Sequence, residues 1–228
     1  AATLTVMQRL ELRRLRMAAL AKASRVELLE REISQALKEA DPSVLAALRK
    51  YAAGAIFQLA QRLDRIEDRK LSRRLYEKLL TLEPNERIES QARLSLADHM
   101  AKSGALADAE LHLRRAVSLL KGGKKADARY QLLIVLQQRL AKAGVATGVG
   151  QKAGSKRADA VKVALRQRAL LDAGWAFAQA NPKHKAFGDV LILVLVRATR
   201  LDDYQATADA ADLFLRRYRK HPRRREVF

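Results

Sequence analysis

Residues 104–120, "GALADAELHLRRAVSLL", constrain the fold more than any other stretch. Their main apolar stripe is Leu106, Ala109, Leu113, Ala116, Val117 and Leu120. Intervals of three and four residues place them on one face of a helix, and strict alternation, the mark of a half-buried strand, is absent. Two of the six are alanines. Small side chains let two helix axes approach closely while large ones fill the space between them, so this stripe predicts close packing against another helix. Alanine, leucine, arginine and glutamate are abundant, and only 4 prolines and 10 glycines interrupt the chain, which favours helix throughout.

The pattern predicts a series of helices. The first covers 3–22 with Leu4, Met7, Leu10, Leu12 and Leu15 as anchors, and Ser24 with Glu27 reads as a capping box opening a second helix at 25–39. Asp41-Pro42 is a cap followed by proline at the first helical position, opening a helix at 42–64. Further helices are predicted over 69–82, from Asn85 to a stop at Gly104, over 105–120, and over 125–142 after a break at Gly122 and Gly123. The last three span 157–180, 184–200 and 203–220, with Asn181-Pro182 as a boundary. The apolar run from Val190 to Val196 has the residues of a strand but no convincing partner strand, so a buried helix is expected there. Seven apolar residues are too few to cross a bilayer as a helix. The Gly-rich segment 144–155 reads as an exposed, mobile connection, dividing the chain into an N-terminal helical-repeat region (1–143) and a C-terminal one with a basic tail (156–228).

Paired helices with short breaks suggest an α-helical solenoid, in which neighbouring hairpins bury faces that are unstable alone. Residues 90–123 resemble the tetratricopeptide repeat: Leu96 and Ala97 form the large–small pair of its first helix, Met100 stands where tyrosine is frequent, Gly104 is at the turn, and Ala109, Leu113 and Ala116 take packing positions of the second helix. Residues 53–86 are similar, with Leu59 and Ala60, then Tyr76 and Leu79, and Pro84 at the end. This copy has Ser72 in place of the usual alanine and no glycine in its turn. Residues 206–222 resemble, through Ala211, Leu215, Tyr218 and Pro222, the final helix of such a repeat in bacterial outer-membrane assembly lipoproteins. The resemblance implies an all-α superhelical stack of antiparallel hairpins that works as a noncatalytic scaffold or assembly subunit. It further implies a groove lined by first helices, which selects Gln61, Asp64, Arg65, Asp98 and Lys102 as protein-binding residues.

No strong catalytic constellation appears. Cysteine is absent, which excludes thiolate chemistry and disulfides. His99 and His112, on adjacent helices with Asp98 and Glu110 nearby, lack the spacing of a metal motif; His184 and His221 are isolated. Glu27, Glu30 and Glu32, like Asp64, Glu67 and Asp68, are expected to serve solubility and capping. Ser24, Ser72, Ser95, Ser103, Ser118 and Ser155 sit in no nucleophile motif. "GVGQKAGSK" lacks the spacing of a phosphate loop. Trp175 is expected to join Val161, Ala164, Leu171 and Ala178 on a packing face. No enzyme activity and no cofactor are therefore expected.

The formal charge is +20, which attracts an acidic protein, nucleic acid or an anionic membrane. An acidic protein or peptide is the expected partner, with nucleic-acid binding through basic patches as the alternative. The candidate anion-binding residues are Lys152, Lys156, Arg157, Arg216, Arg217, Arg219, Lys220, Arg223, Arg224 and Arg225, with Lys162, Arg166 and Arg168 adjoining. The composition is in keeping with a bacterial origin, and both the cell envelope and the cytoplasm are compatible with it.

Overall fold

The computed structural model describes residues 4–146 and 153–218, the side chains of 144–146 and 153–159 excepted. Those residues form ten α-helices: α1 (Val6–Lys22), α2 (Val26–Lys38), α3 (Pro42–Arg65), α4 (Arg69–Leu80), α5 (Glu86–Lys102), α6 (Leu106–Leu119), α7 (Gly122–Ala146), α8 (Ala153–Ala180), α9 (Phe187–Arg200) and α10 (Tyr204–Arg217). The chain divides into two compact units, Ala1–Leu120 and Lys121–Phe228. Both are all-α, built of antiparallel hairpins. In the first unit α1 pairs with α2, α3 with α4 and α5 with α6, while α4 also packs on α5 and α1 on α3. In the second unit α8 packs on α7 and α9, and α9 pairs with α10.

One turn is used four times. Ser24 (φ 54°), Glu67 (φ 61°), Gly104 (φ 80°) and Asp202 (φ 54°) each adopt the left-handed conformation two residues before the second helix of a hairpin begins. In each case the next residue's N–H reaches back over the helix end: Arg25 to the Leu20 carbonyl (3.0 Å), Asp68 to Leu63 (3.0 Å), Ala105 to Met100 (2.8 Å) and Asp203 to Ala198 (3.0 Å). This is the hydrogen bond that satisfies an orphaned carbonyl in a Schellman-type ending. Only Gly104 announces the turn in the sequence, because only glycine enters this region without steric cost.

Several sequence-predicted ends are found where expected. Asp41 accepts the Ser43 N–H at 2.9 Å with Pro42 opening α3, and Asn85 accepts the Ile88 N–H at 3.0 Å. Others differ. The capping box lies at Thr5 and Gln8 of α1, whereas α2 starts after Arg25 with no side-chain cap, since Ser24 is committed to the turn. Gly122 and Gly123 open α7 instead of interrupting the chain before it, and helix extends to Ala146 and resumes at Ala153, into the predicted Gly-rich connection. The rest of that segment, 147–152, lies outside the described residues. The run Val190–Val196 is helical, inside α9.

Burial corrects the reading of α1. Leu10, Met17 and Ala21 face the core, while Leu4, Met7, Leu12 and Leu15 are exposed. Among the described residues α1 packs chiefly on α2 and α3, with Leu10, Met17 and Ala21 turned inward. The expected small–large packing is present elsewhere: Ala92, Leu96, Ala97, Ala109, Leu113 and Ala116 are all buried. In the second unit the close approach is made by Gly174 of α8. A Cβ there would lie 2.8 Å from Val194 Cγ2 of α9.

Candidate functional site

Asp64 closes α3, Tyr76 projects from α4, and His99 comes from the last turn of α5. Tyr76 donates its hydroxyl to Asp64 Oδ2 at 2.8 Å, and His99 Nε2 lies 2.8 Å from Asp64 Oδ1. The Tyr76 and His99 rings meet edge to face, 6.2 Å between centroids. Tyr76 and His99 are buried, and His99 Nδ1 and Asp64 Oδ1 both lack a hydrogen-bond partner, so His99 and Asp64 are in close contact without a directed hydrogen bond. Burial pushes the Tyr76 phenol well above its ordinary range, and the Asp64 carboxylate acts in the same direction against an opposing hydrogen bond with Ser95. The phenol is thus held as a neutral donor. The arrangement ends on a hydroxyl that cannot readily ionise, so it ties three helices together rather than activating a nucleophile.

Beside this triad lies a polar cleft of about 410 Å³, lined by Asp64 and Glu67, by Arg69 at the start of α4, and by Ser95, Asp98 and Lys102 along α5. The cleft brings together three of the five sequence-predicted groove residues: Asp64, Asp98 and Lys102. Lys102 donates to Asp98 at 2.5 Å, and both are exposed. Gln61, half-buried, and Arg65, exposed, are not among its lining residues. On the other side of His99 and Lys102 a second opening of about 520 Å³ is lined chiefly by Arg69, Lys70, Arg73 and Arg74. Arg73 there is paired with Glu77 (2.8 Å), and Arg74 with Glu30.

His99 and His112 do not form a pair. His99 turns towards α3, and His112 Nδ1 lies 3.4 Å from an Arg93 Nη1. Burial, then the Arg93 charge, hold the His112 imidazole below its ordinary value. Glu30 and Glu32 also depart from expectation, being buried ion-pair centres rather than solvated surface groups. Glu32 meets Arg13 (2.8 Å) and Arg16 (3.0 Å), and Glu30 meets Arg74 and Lys78. Their partners lie on other turns and other helices, so no local charge pattern discloses them.

Of the basic candidates, Arg216 is engaged with Asp212 (2.7 Å) on its own helix, and Arg217 lies over the Phe187 ring, 4.8 Å from its centroid. Arg168 bridges Asp172 and Asp203. Lys156 and Arg157 belong to α8, with side chains outside the described set, and Lys152, Arg219, Lys220, Arg223, Arg224 and Arg225 lie outside the described residues. Trp175 is half-buried against both apolar clusters of the second unit, whereas Val161 is exposed and does not share its packing face. Among the described residues no group of three His, Asp or Glu side chains is placed to hold a metal, and no helix is long and apolar enough to cross a membrane.

The chain matches no established family profile and no curated protein sequence. Among solved structures it is similar to YrrB, described as a TPR protein with an unusual peptide-binding site, at 14% identity over 74% of this chain and 88% of that one, with a TM-score of 0.34. The repeated hairpin and its fourfold turn stand on this chain's own geometry, independently of that likeness.

Proposed function

We propose that the protein is a noncatalytic scaffold that binds a partner protein or peptide through the polar face where α3, α4 and α5 meet. The observation that carries this reading is the cleft at Asp64, Asp98 and Lys102, which exposes charged groups of both signs on a rigid frame. Its floor is stiffened by the Tyr76–Asp64–His99 contacts, so little side-chain freedom is lost on binding. Gln61 and Arg65 extend the contact along α3. With a net charge of +20, the complementary surface is acidic.

Site-specific photo-crosslinkers placed one at a time at Gln61 and Arg65 of α3, and at the exposed Leu111 of α6 as a control, test this assignment on the full chain. The expected adducts form from Gln61 and Arg65 and fall away when Asp98 and Lys102 are exchanged for opposite charges. Adducts that form only from Leu111 would overturn it. Parallel titrations with RNA, DNA, acidic vesicles and neutral vesicles address the alternative: tight, steeply salt-dependent binding to nucleic acid without any protein adduct would replace the scaffold reading by nucleic-acid binding.

A further inference from the structure

The second unit holds an open slot of about 290 Å³ between α7 and α9. Its apolar walls include buried Leu133 and Val190 and the exposed aliphatic side chains Ile134 (39%) and Val196 (37%). Arg197 and Asp189, both from α9, also line it. Eight residues of helix place their backbone positions about 12 Å apart along the axis of α9.

Arg197 differs from Arg168 and Arg216, which are ion-paired. It is half-buried, its Nε is shut off from solvent without a hydrogen-bond partner, and among the described residues no carboxylate pairs with it. Burial, then the charge of Arg200 one turn on, pull its guanidinium below the ordinary value. An unpaired, partly desolvated cation is unfavourable unless something completes it. Asp189 at the other end is exposed, and it forms no ion pair among the described residues. An aliphatic slot with a cation at one end and an anion at the other suits a chain with spaced side chains of both signs, and it suits a singly charged fatty acid poorly.

We propose that this slot docks an amphipathic segment of a partner protein, with aliphatic side chains seated between Ile134 and Val196 and a Glu or Asp carboxylate paired with Arg197. The proposal rests on the reading of the chain as a protein-binding scaffold and adds a second docking site to it. Binding would bury the slot's aliphatic lips, which supplies the driving force, and would give the guanidinium a charge-assisted hydrogen bond in a desolvated setting. The carboxylate therefore sets specificity as well as adding affinity.

The test is selection from a displayed library of random peptides, about three helical turns long, on the full chain. Enriched peptides are then synthesised and titrated against the wild type, Arg197→Gln, Ile134→Lys and Asp98→Lys. Expected are peptides sharing two or more aliphatic residues flanked by one acidic and one basic residue. Arg197→Gln or Ile134→Lys should weaken them by roughly tenfold or more, as for loss of a desolvated charge pair. Changing the peptide's acid to its amide should cause the same loss as Arg197→Gln, and the two changes together should add nothing further. Arg197→Gln should melt no lower than the wild type, which separates lost docking from lost folding. Enriched peptides that lack an acid, or that ignore Arg197→Gln, overturn the proposal. Peptides sensitive only to Asp98→Lys overturn it while upholding the site in the first unit. No enrichment at all overturns both readings, and Arg197-dependent binding of a fluorescent fatty acid without peptide binding assigns the slot to lipid.

Discussion

His99 Nε2 lies 2.8 Å from Asp64 Oδ1, and the other oxygen of that carboxylate accepts the Tyr76 hydroxyl at 2.8 Å. One side chain at the end of α3 thereby fixes α4 and α5. Asp64→Ala should lower the stability of the full chain by about 1–3 kcal/mol, because it removes the acceptor of the buried Tyr76 hydroxyl. Asp64→Asn keeps an acceptor and should cost less. Urea unfolding followed by circular dichroism measures both; an alanine variant as stable as the wild type would mean that solvent already satisfies this hydroxyl.

Glu67 holds φ at 61° in the turn that Gly104 makes at 80°. A side chain in this region costs roughly 1 kcal/mol that glycine does not incur. Glu67→Gly should therefore raise stability by a few tenths to about 1 kcal/mol, the gain being reduced by glycine's freedom in the unfolded chain. Gly104→Ala should lower it. Thermal melts of the two variants, run beside the wild type, should move in opposite directions.

Gly174 leaves no room for a methyl group, since a Cβ would meet Val194 Cγ2 at 2.8 Å. Gly174→Ala should destabilise by about 1–3 kcal/mol despite alanine's better helix propensity. The double variant Gly174→Ala with Val194→Ala should recover part of the loss, as read in a double-mutant cycle of unfolding free energies.

Acid should weaken the fold in two steps. Burial and Arg93 hold His112 below its ordinary 6.5. The unfolded chain therefore takes up the proton first, and this contribution, intact above 6.5, fades as pH falls below it. Burial pushes the Glu89 carboxyl up, but hydrogen bonds and charge from Arg115 and Arg93 outweigh it and leave it below 4.5. Its contribution is intact above 4.5 and is lost as pH falls further. Unfolding free energies measured across this range should show both declines, and His112→Gln should remove the upper one. An unchanged profile in that variant would assign the upper step to another group.

The sequence by itself determined the helices and several of their ends. The three-and-four spacing of Leu106, Ala109, Leu113 and Ala116 is a local property, and all four are buried on one face of α6. Asp41-Pro42, Asn85 and Gly104 mark ends because capping and left-handed turns act within a few residues. Asp64, Asp98 and Lys102 were expected from the resemblance to a repeat, and the fold lines one cleft with all three.

Only the tertiary structure decided which apolar faces find a partner and which charges are completed. Leu12 and Leu10 look alike in the sequence of α1, yet one is exposed and the other buried, because only the face that carries Leu10, Met17 and Ala21 turns to the core. Glu30 reads as a surface charge until Arg74, 44 residues away, folds over it. Glu67 occupies a glycine's turn because the packing of α3 against α4 holds it there. Arg197, embedded in α9, shows its missing partner only when α7 closes the other side of the slot. Periodicity and capping are short-range and are written in neighbouring residues. Burial and charge pairing depend on contacts between segments far apart in the chain, which one-dimensional spacing does not encode.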